Sequence, residues 1–170
     1  MKHKNKVLFK ILIVVIIFSF NNNKSFSQVT DIEGNIYKTV LIDNQEWIAE
    51  NLNVEHYCNG DIIPQIQDEN QWKLLTTGAW CYQENNPENG KSFGKLYNWY
   101  AVNDPRGLAP KGWHIPSDAD YTKLTSYLGG EEVAGGKLKA TTLWESPNTG
   151  ASNESGFTAF PGGIRDDDGL

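Results

Sequence analysis

The most regular alternation of apolar and polar positions lies between residues 35 and 49. The stretch NIYKTVLI, residues 35–42, alternates and is rich in β-branched side chains, as half-buried strands are. Asp43 and Asn44 give a turn signal, and QEWIA, residues 45–49, has the composition of a returning strand. The pattern predicts an antiparallel β-hairpin in the first third of the chain.

A helix is predicted to begin after Pro116. Ser117 is a favourable N-cap, and Asp120 lies three residues later, where a capping box places its acidic partner. Gly129 and Gly130 provide a stop signal. The apolar positions between cap and stop have helical spacing: Tyr121, Leu124 and Leu128. These features together predict a helix over residues 118–128.

The remaining segments have weaker patterns. Residues 94–103 predict a second short helix, whose apolar stripe includes Trp99 and places it in the core. Residues 58–92 are polar and rich in Asn, Gln, Gly and Pro, which predicts loops with short elements held by aromatic side chains. One more helical turn is expected within residues 131–141, and a short strand near residues 156–163. If exposed rather than buried, four aromatic residues could stack on sugars: Tyr97, Trp99, Tyr100 and Trp144.

The first 27 residues have the order of a secretory signal peptide. A lysine-rich start precedes an apolar core at residues 11–20, and small residues end at Ser27. The core is about half the length of the roughly 20 apolar residues that a spanning helix needs. We therefore expect cleavage after Ser27, an exported domain of residues 28–170, and no membrane span after cleavage.

Charge narrows the range of partners. Loss of the five lysines of the signal peptide would change the formal net charge from −6 to −11. Such a surface repels phosphate backbones, so nucleic acid is excluded as a partner. The length of the exported part predicts one domain.

The two cysteines, Cys58 and Cys81, leave two possibilities open. A disulfide between them is plausible in an exported chain, where such bonds persist. The alternative is two separate thiols. These cysteines and the nearby His56 do not form a spaced set of four zinc ligands, so we predict no metal site there.

No catalytic set is evident in the sequence. His56 and His114 are the histidines of the exported part, and neither lies in a recognisable nucleophile motif. The acidic run 166–168 before Gly169 lacks the spacing of a calcium loop. Gly135 and Gly136 lack the rest of a phosphate-binding loop, so we expect them to permit a tight chain crossing. We predict no catalytic residue and no cofactor.

The segment LAPKGWHIPSDADYTKL, residues 108–124, predicts a structural corner. In this interpretation Trp113 and His114 end a core strand, Pro116 sets the turn, and Ser117 and Asp120 start the helix. If the ring of Trp113 is buried, its replacement by alanine costs about 3–5 kcal/mol. A cost below about 1 kcal/mol would instead indicate an exposed ring and favour a binding site.

Several long motifs occur in an order that resembles the Fibrobacter succinogenes major paralogous domain. They include DIEGNIYKTVLIDNQEWIAENLNV, YNWYAVN, PKGWHIPSDADYTKLTSYLGG and AGGKLKAT, and the resemblance covers residues 31–163. It implies a C-type-lectin-like fold in an exported or cell-surface bacterial protein. The expected fold class is α+β, with the N-terminal hairpin, two short helices and a small antiparallel sheet.

This chain departs from the family pattern in two ways. The family usually has a cysteine just before the P-x-G-W-H motif, where this chain has Ala109, and that cysteine pairs with one near the end of the domain. The family also continues beyond the PGG turn, whereas this chain ends at Leu170. The resemblance therefore implies a partial domain without its last strands.

Three functions follow as hypotheses. The first is a non-catalytic, exported, lectin-like domain that binds a glycan or a protein at the cell surface or outside the cell. The second is an enzyme related to sulfatase-modifying, formylglycine-generating proteins. The segment IPSDADYTKL of this chain resembles a scaffold segment of those enzymes. The third is a purely structural surface module. The motifs of calcium-dependent lectins are not matched, because Ser146-Pro147-Asn148 lacks their glutamate.

Overall fold

The computed structural model describes residues 27–166, and within them the predicted hairpin is confirmed. Strand β2 spans Ile36–Ile42 and strand β3 spans Gln45–Ile48, paired antiparallel with Val40 opposite Trp47. A further strand, β1 at Ser27–Thr30, pairs with the other edge of β2 and was not predicted. The predicted signal peptide, except for Ser27, lies outside the described residues, as do residues 167–170.

A second, two-stranded antiparallel sheet consists of β4, Trp80–Cys81, and β5, Leu96–Tyr97. Five α-helices and one 3₁₀ helix, Gln83–Asn85, are present between residues 27 and 166, rather than the two helices and one additional helical turn expected. In chain order the α-helices are α1 Glu69–Lys73, α2 Pro87–Phe93, α3 Trp99–Val102, α4 Asp118–Tyr127 and α5 Glu131–Leu138. Mixed helices and small antiparallel sheets make this an α+β fold.

Helix α4 confirms the predicted capping box. The backbone N–H of Asp120 donates to Ser117 Oγ at 3.3 Å, and the N–H of Ser117 donates to Asp120 Oδ2 at 2.9 Å. The predicted stripe is buried at Leu124 and Leu128, but Tyr121 is 46% exposed. Tyr121 lies in the first turn of α4, at the edge of the core, so one face of its ring remains open.

The apolar side chains form two main clusters. The sheet–helix core joins β2 and β3 to α4 and α5 through Val40, Ile42, Trp47, Ala49, Leu124, Leu128 and Ala134. The loop core gathers side chains from irregular segments and short elements: Val54, Tyr57, Ile63, Trp80, Ala101 and Leu108. A smaller cluster of Trp72, Ala79 and Cys81 lies under helix α1 and strand β4.

The predicted helix within residues 94–103 is present, but the prediction that Trp99 lies in the core was wrong. Helix α3 is a single turn whose start is fixed by Asn98, because Asn98 Oδ1 accepts from the N–H groups of Ala79 and Ala101, both at 3.0 Å. Because the helix starts directly after Asn98, Ala101 is completely buried and Trp99 is 69% exposed. Residues 156–163 also form no regular strand, since Ala159 makes only an isolated bridge with Lys139.

The expectation for the glycine pair is confirmed at one of its two positions. A Cβ atom on Gly136 would lie 2.3 Å from the carbonyl oxygen of Gly150, whereas a Cβ on Gly135 would meet nothing within 4 Å. The N–H of Ser152 donates to the carbonyl of Gly136 at 2.9 Å in the same crossing. The close approach of two chain segments therefore requires Gly136 and not Gly135.

Candidate functional site

A cleft of about 650 Å³ opens beside the first sheet. One wall is β3 and the chain that follows it, and the other is the segment 109–116 with the first turn of α4. Residues 157–159 close one side. We call it the β3–α4 cleft, and its volume is in the range of about 300–1,000 Å³ that small-ligand sites have.

Aromatic rings line the inner part of this cleft. The centroid of the Trp47 ring lies 5.4 Å from that of Tyr121 and 5.8 Å from that of Phe157. Trp47 is placed there by strand alternation, because it lies opposite the buried Val40 on β2. The three rings provide a broad apolar surface at the bottom of the cleft.

Trp47 has an unsatisfied hydrogen-bond donor. Only 6% of Trp47 is exposed, yet the indole Nε1–H has no acceptor among residues 27–166. Buried tryptophan N–H groups usually find a partner, and an exception calls for an explanation such as water. The indole nitrogen is itself enclosed, so an acceptor in the cleft would reach it only after a neighbouring side chain moves.

Trp113 enters the cleft from a tight turn. The N–H of Trp113 donates to the carbonyl of Pro110 at 2.9 Å, and Gly112 has a φ of 87°, as position i+2 of a type II turn requires. The ring of Trp113 is half-buried and lines the cleft. The predicted core strand ending at Trp113 and His114 is therefore wrong, because residues 113–114 follow a turn and the ring lies half-buried at the cleft wall.

The start of α4 supplies a fixed negative charge. Asp120 Oδ2 accepts from Ser117 Oγ at 2.6 Å and lies 3.2 Å from His114 Nε2. Hydrogen bonds from the Ser117 side chain and backbone, and then from His114, lower the pKa of Asp120 to about 2. The side chain of His114 is 75% exposed, so the imidazole stands at the mouth of the cleft.

One further carboxylate lines the cleft. Glu50 Oε2 accepts from the N–H of Lys38 at 2.7 Å, whereas Glu46 Oε1 accepts from Thr39 Oγ1 at 2.5 Å on the sheet face opposite to Trp47. Asp120 and Glu50 thus give the cleft two acidic groups, and none of its lining residues within residues 27–166 is Lys or Arg. Its electrostatic potential therefore favours neutral or cationic ligands and disfavours anions.

The structure brings together most of the residues predicted to form the corner. Trp113, His114, Pro116 and Asp120 all line the cleft, and Ser117 caps the helix beside it. The sequence analysis missed the partners across the cleft: Trp47, Glu50 and Phe157. The predicted hairpin placed Trp47 on a strand, but no pattern in the sequence indicated that its indole would lack an acceptor.

The other candidate residues lie outside this cleft. His56 Nδ1 lies 2.9 Å from Glu33 Oε1, on a partly exposed loop. Trp144 is covered by the ammonium of Lys139, 4.4 Å from the ring centroid, and its indole donates to the carbonyl of Ala159. The hydroxyl of Tyr97 donates to the carbonyl of Val54 at 2.8 Å. These contacts give His56, Trp144 and Tyr97 structural roles.

Of the two possibilities left open for the cysteines, the structure has two separate thiols and no disulfide between Cys58 and Cys81. Cys58 is exposed and its thiol donates to the carbonyl of Ala109 at 2.7 Å. Cys81 is fully buried in the cluster with Trp72 and Ala79, and burial raises the pKa of its thiol. The cysteines are held apart because one belongs to the loop beside Ala109 and the other to a buried strand.

Neither a metal centre nor a membrane span is visible in the described part of the chain. Within residues 27–166, His, Cys, Asp and Glu side chains do not gather in threes in a way that could hold a metal ion. The helices of the same range are too short or too polar to cross a membrane.

The site is thus an open, acidic, aromatic-lined cleft in an α+β domain. The family model described as the Fibrobacter succinogenes major domain matches residues 40–170. The chain belongs to this family, as its motif order predicted. No curated protein and no solved structure matches the chain.

Proposed function

We propose that this chain is an exported, non-catalytic domain of C-type-lectin-like fold that binds a glycan in the β3–α4 cleft. The observation that carries the proposal is the aromatic lining of a cleft of about 650 Å³, in which the half-buried ring of Trp113 lines the same concavity as Trp47 and Tyr121. The order of the family motifs supports the fold, and the signal-peptide pattern of residues 1–27 supports export.

The composition of the cleft suits a sugar. A pyranose has apolar C–H faces and a rim of hydroxyl groups, so it needs both aromatic surface and hydrogen-bonding groups. The rings of Trp47, Tyr121 and Trp113 offer the first, and the carboxylates of Glu50 and Asp120 accept from hydroxyls.

The charge of the cleft selects among glycans. Its carboxylates would repel uronic acids, sialic acids and sulfated sugars. An amine-bearing sugar would gain from the same groups. The proposal therefore names neutral and amino sugars as ligands and anionic sugars as non-ligands.

The proposal includes no catalytic step, for a geometric reason. His114 is the titratable base of the cleft, and the carboxylate beside it, Asp120, is held by the backbone and hydroxyl of Ser117 as a helix cap. The pair is oriented by the helix start and not by a nucleophile. The enzyme hypothesis remains a prediction without a supporting contact in this cleft.

The test is a glycan array that contains neutral, amino and anionic sugars, probed with the purified chain. Positive glycans are then titrated against Trp113→Ala and against Trp99→Ala as a matched control. Trp99 is exposed and lies outside the cleft, and it was itself a candidate for sugar stacking. We expect Trp113→Ala to weaken binding by about tenfold or more and Trp99→Ala to leave it unchanged.

Two results would count against the proposal. A folded chain that binds no glycan but captures a protein in a pull-down would make the cleft, or another surface, a protein-binding site. Loss of glycan binding in Trp99→Ala alone would move the sugar site from the cleft to helix α3. Circular dichroism of each variant confirms that the fold is retained.

A further inference from the structure

A second, smaller depression lies next to the β3–α4 cleft. It has a volume of about 410 Å³ and lies between the start of β2 and helix α2. Its lining is about half polar and half apolar: Asn35, Asn53, Lys91 and Ser92 are among the polar residues, and Ile36, Tyr37, Leu143 and Phe160 among the apolar and aromatic ones. We call it the α2 depression.

The two concavities share residues. Glu50 and Asn51 line both the β3–α4 cleft and the α2 depression, and both residues are exposed. They therefore lie at the boundary between the two concavities, and we call them the ridge. The ridge is fixed, since Glu50 accepts from the N–H of Lys38 and Asn51 Nδ2 donates to the carbonyl of Phe93 at 2.8 Å.

We propose that the two concavities form one elongated groove for a linear oligosaccharide, with a central sugar over Glu50 and Asn51. This inference rests on the proposed glycan-binding function and specifies its ligand as a chain and not a single sugar. The inner end, with Trp47 and Trp113, takes a sugar by ring stacking. The outer end takes the following sugars through amide and hydroxyl groups.

The chemistry of the outer end differs from that of the inner end in a way that fits a chain. Indole rings line the β3–α4 cleft, whereas the α2 depression presents Asn and Ser side chains and one Lys. Lys91 is paired with Glu88 at 2.7 Å on an exposed helix surface, so it adds little net charge. A sugar there would be held mainly by hydrogen bonds between hydroxyls and amides, which add modest affinity to each longer ligand.

The test measures affinity against chain length. Titrations use β-linked oligomers of glucose, N-acetylglucosamine and glucosamine, from dimer to hexamer, with the full chain. Occupation of a second, tethered site raises apparent affinity, so we expect a gain of about tenfold or more between the dimer and the longer members, followed by a plateau.

A variant in which the α2 depression is filled tests whether the gain in affinity with oligomer length arises there. Ser92 is exposed and lines the α2 depression, so Ser92→Trp fills it without disturbing either core. We expect this variant to bind the dimer normally and to lose the gain with length. The matched control is Asn70→Trp, which places the same side chain on the exposed surface of helix α1, outside both concavities, and should keep the gain.

The outcomes separate the two proposals. Binding of the dimer without any gain for longer oligomers would overturn the elongated groove and leave the glycan site intact. A gain that survives Ser92→Trp would also overturn it. Failure of all oligomers and of the glycan array would overturn both the groove and the proposed function.

Discussion

Two buried tryptophans represent the two cores of this domain. Trp80, in the loop core, donates its indole N–H to the carbonyl of Ile63 at 2.9 Å. Trp47, in the sheet–helix core, has no acceptor within residues 27–166. One indole is used to hold an irregular loop in place. The other is held by regular elements, and its indole N–H has no acceptor.

The difference follows from how each core is built. In the sheet–helix core the backbone hydrogen bonds of β2, β3 and α4 already satisfy the main chain, so side chains are needed only for packing. In the loop core side chains must satisfy backbone carbonyls. Tyr97 and Lys95 do so for Val54 and Asn53. The contrast between the two indoles therefore follows from the different demands that the two cores make on their side chains.

The largest expected effect tests the sheet–helix core. Leu124 is 1% exposed, and Leu124→Ala should lower the free energy of unfolding by about 2–5 kcal/mol, because it leaves a cavity between α4 and the sheet. Denaturant unfolding followed by circular dichroism measures the change. Tyr127→Ala, on the exposed side of the same helix, is the control. A loss below about 1 kcal/mol for Leu124→Ala would mean that the loop core carries most of the stability.

The next effect concerns the glycine pair in α5. Gly136→Ala should destabilise by about 1–3 kcal/mol, since the added methyl would collide with the carbonyl of Gly150. Gly135→Ala should instead stabilise by about 0.5–1 kcal/mol, because its Cβ meets open space in a helix. The same unfolding measurement applies to both variants. Equal effects would contradict the close crossing at residues 136 and 150.

The contrast between the two indoles can be measured directly. Trp80→Phe leaves the buried carbonyl of Ile63 without its donor, whereas Trp47→Phe removes a donor that had no acceptor. Both changes remove a similar volume. We therefore expect Trp80→Phe to cost about 1–2 kcal/mol more than Trp47→Phe in unfolding free energy. The opposite order would show that Trp47 is satisfied in solution by an acceptor in the protein.

Acid should weaken both regions through two aspartates. Hydrogen bonds from Ser117 lower the pKa of Asp120 to about 2, and hydrogen bonds from Arg106 do the same for Asp104 in the loop region. Because both folded-state pKa values lie below the ordinary value of 3.8, the stabilisation is present above about pH 4 and is lost as the pH falls towards 2. Asp120→Asn and Asp104→Asn should each flatten the fall of the melting temperature between pH 5 and pH 2. An unchanged slope in both variants would refute these assignments.

The last prediction is that reduction leaves the stability of the fold unchanged. With both cysteines as free thiols, a reducing agent should leave the melting temperature unchanged. A thiol reagent should label Cys58 in the folded chain and Cys81 only after unfolding, because Cys81 is fully buried and burial raises its pKa. A large drop in melting temperature on reduction would show that the loop core depends on a covalent link.

Local patterns in the sequence determined the elements of the sheet–helix core. Alternation over residues 35–49 fixed the hairpin, and Ser117 with Asp120 fixed the start of α4. These features depend on hydrogen bonds and side chains within a few residues of each other. The order of the motifs also identified the family, whose model matches residues 40–170.

The position of the site was decided only by the tertiary structure. Trp47 and Trp113 are 66 positions apart in the sequence, and no local rule relates them. The same holds for the exposure of Trp99, which depends on where the Asn98 cap starts a single helical turn. Short elements leave burial to long-range packing, because one turn has too few apolar positions to define a face. The sequence by itself therefore determined the hairpin, the capped helix and the family, while packing between distant segments decided which tryptophans are exposed and which indole lacks a partner.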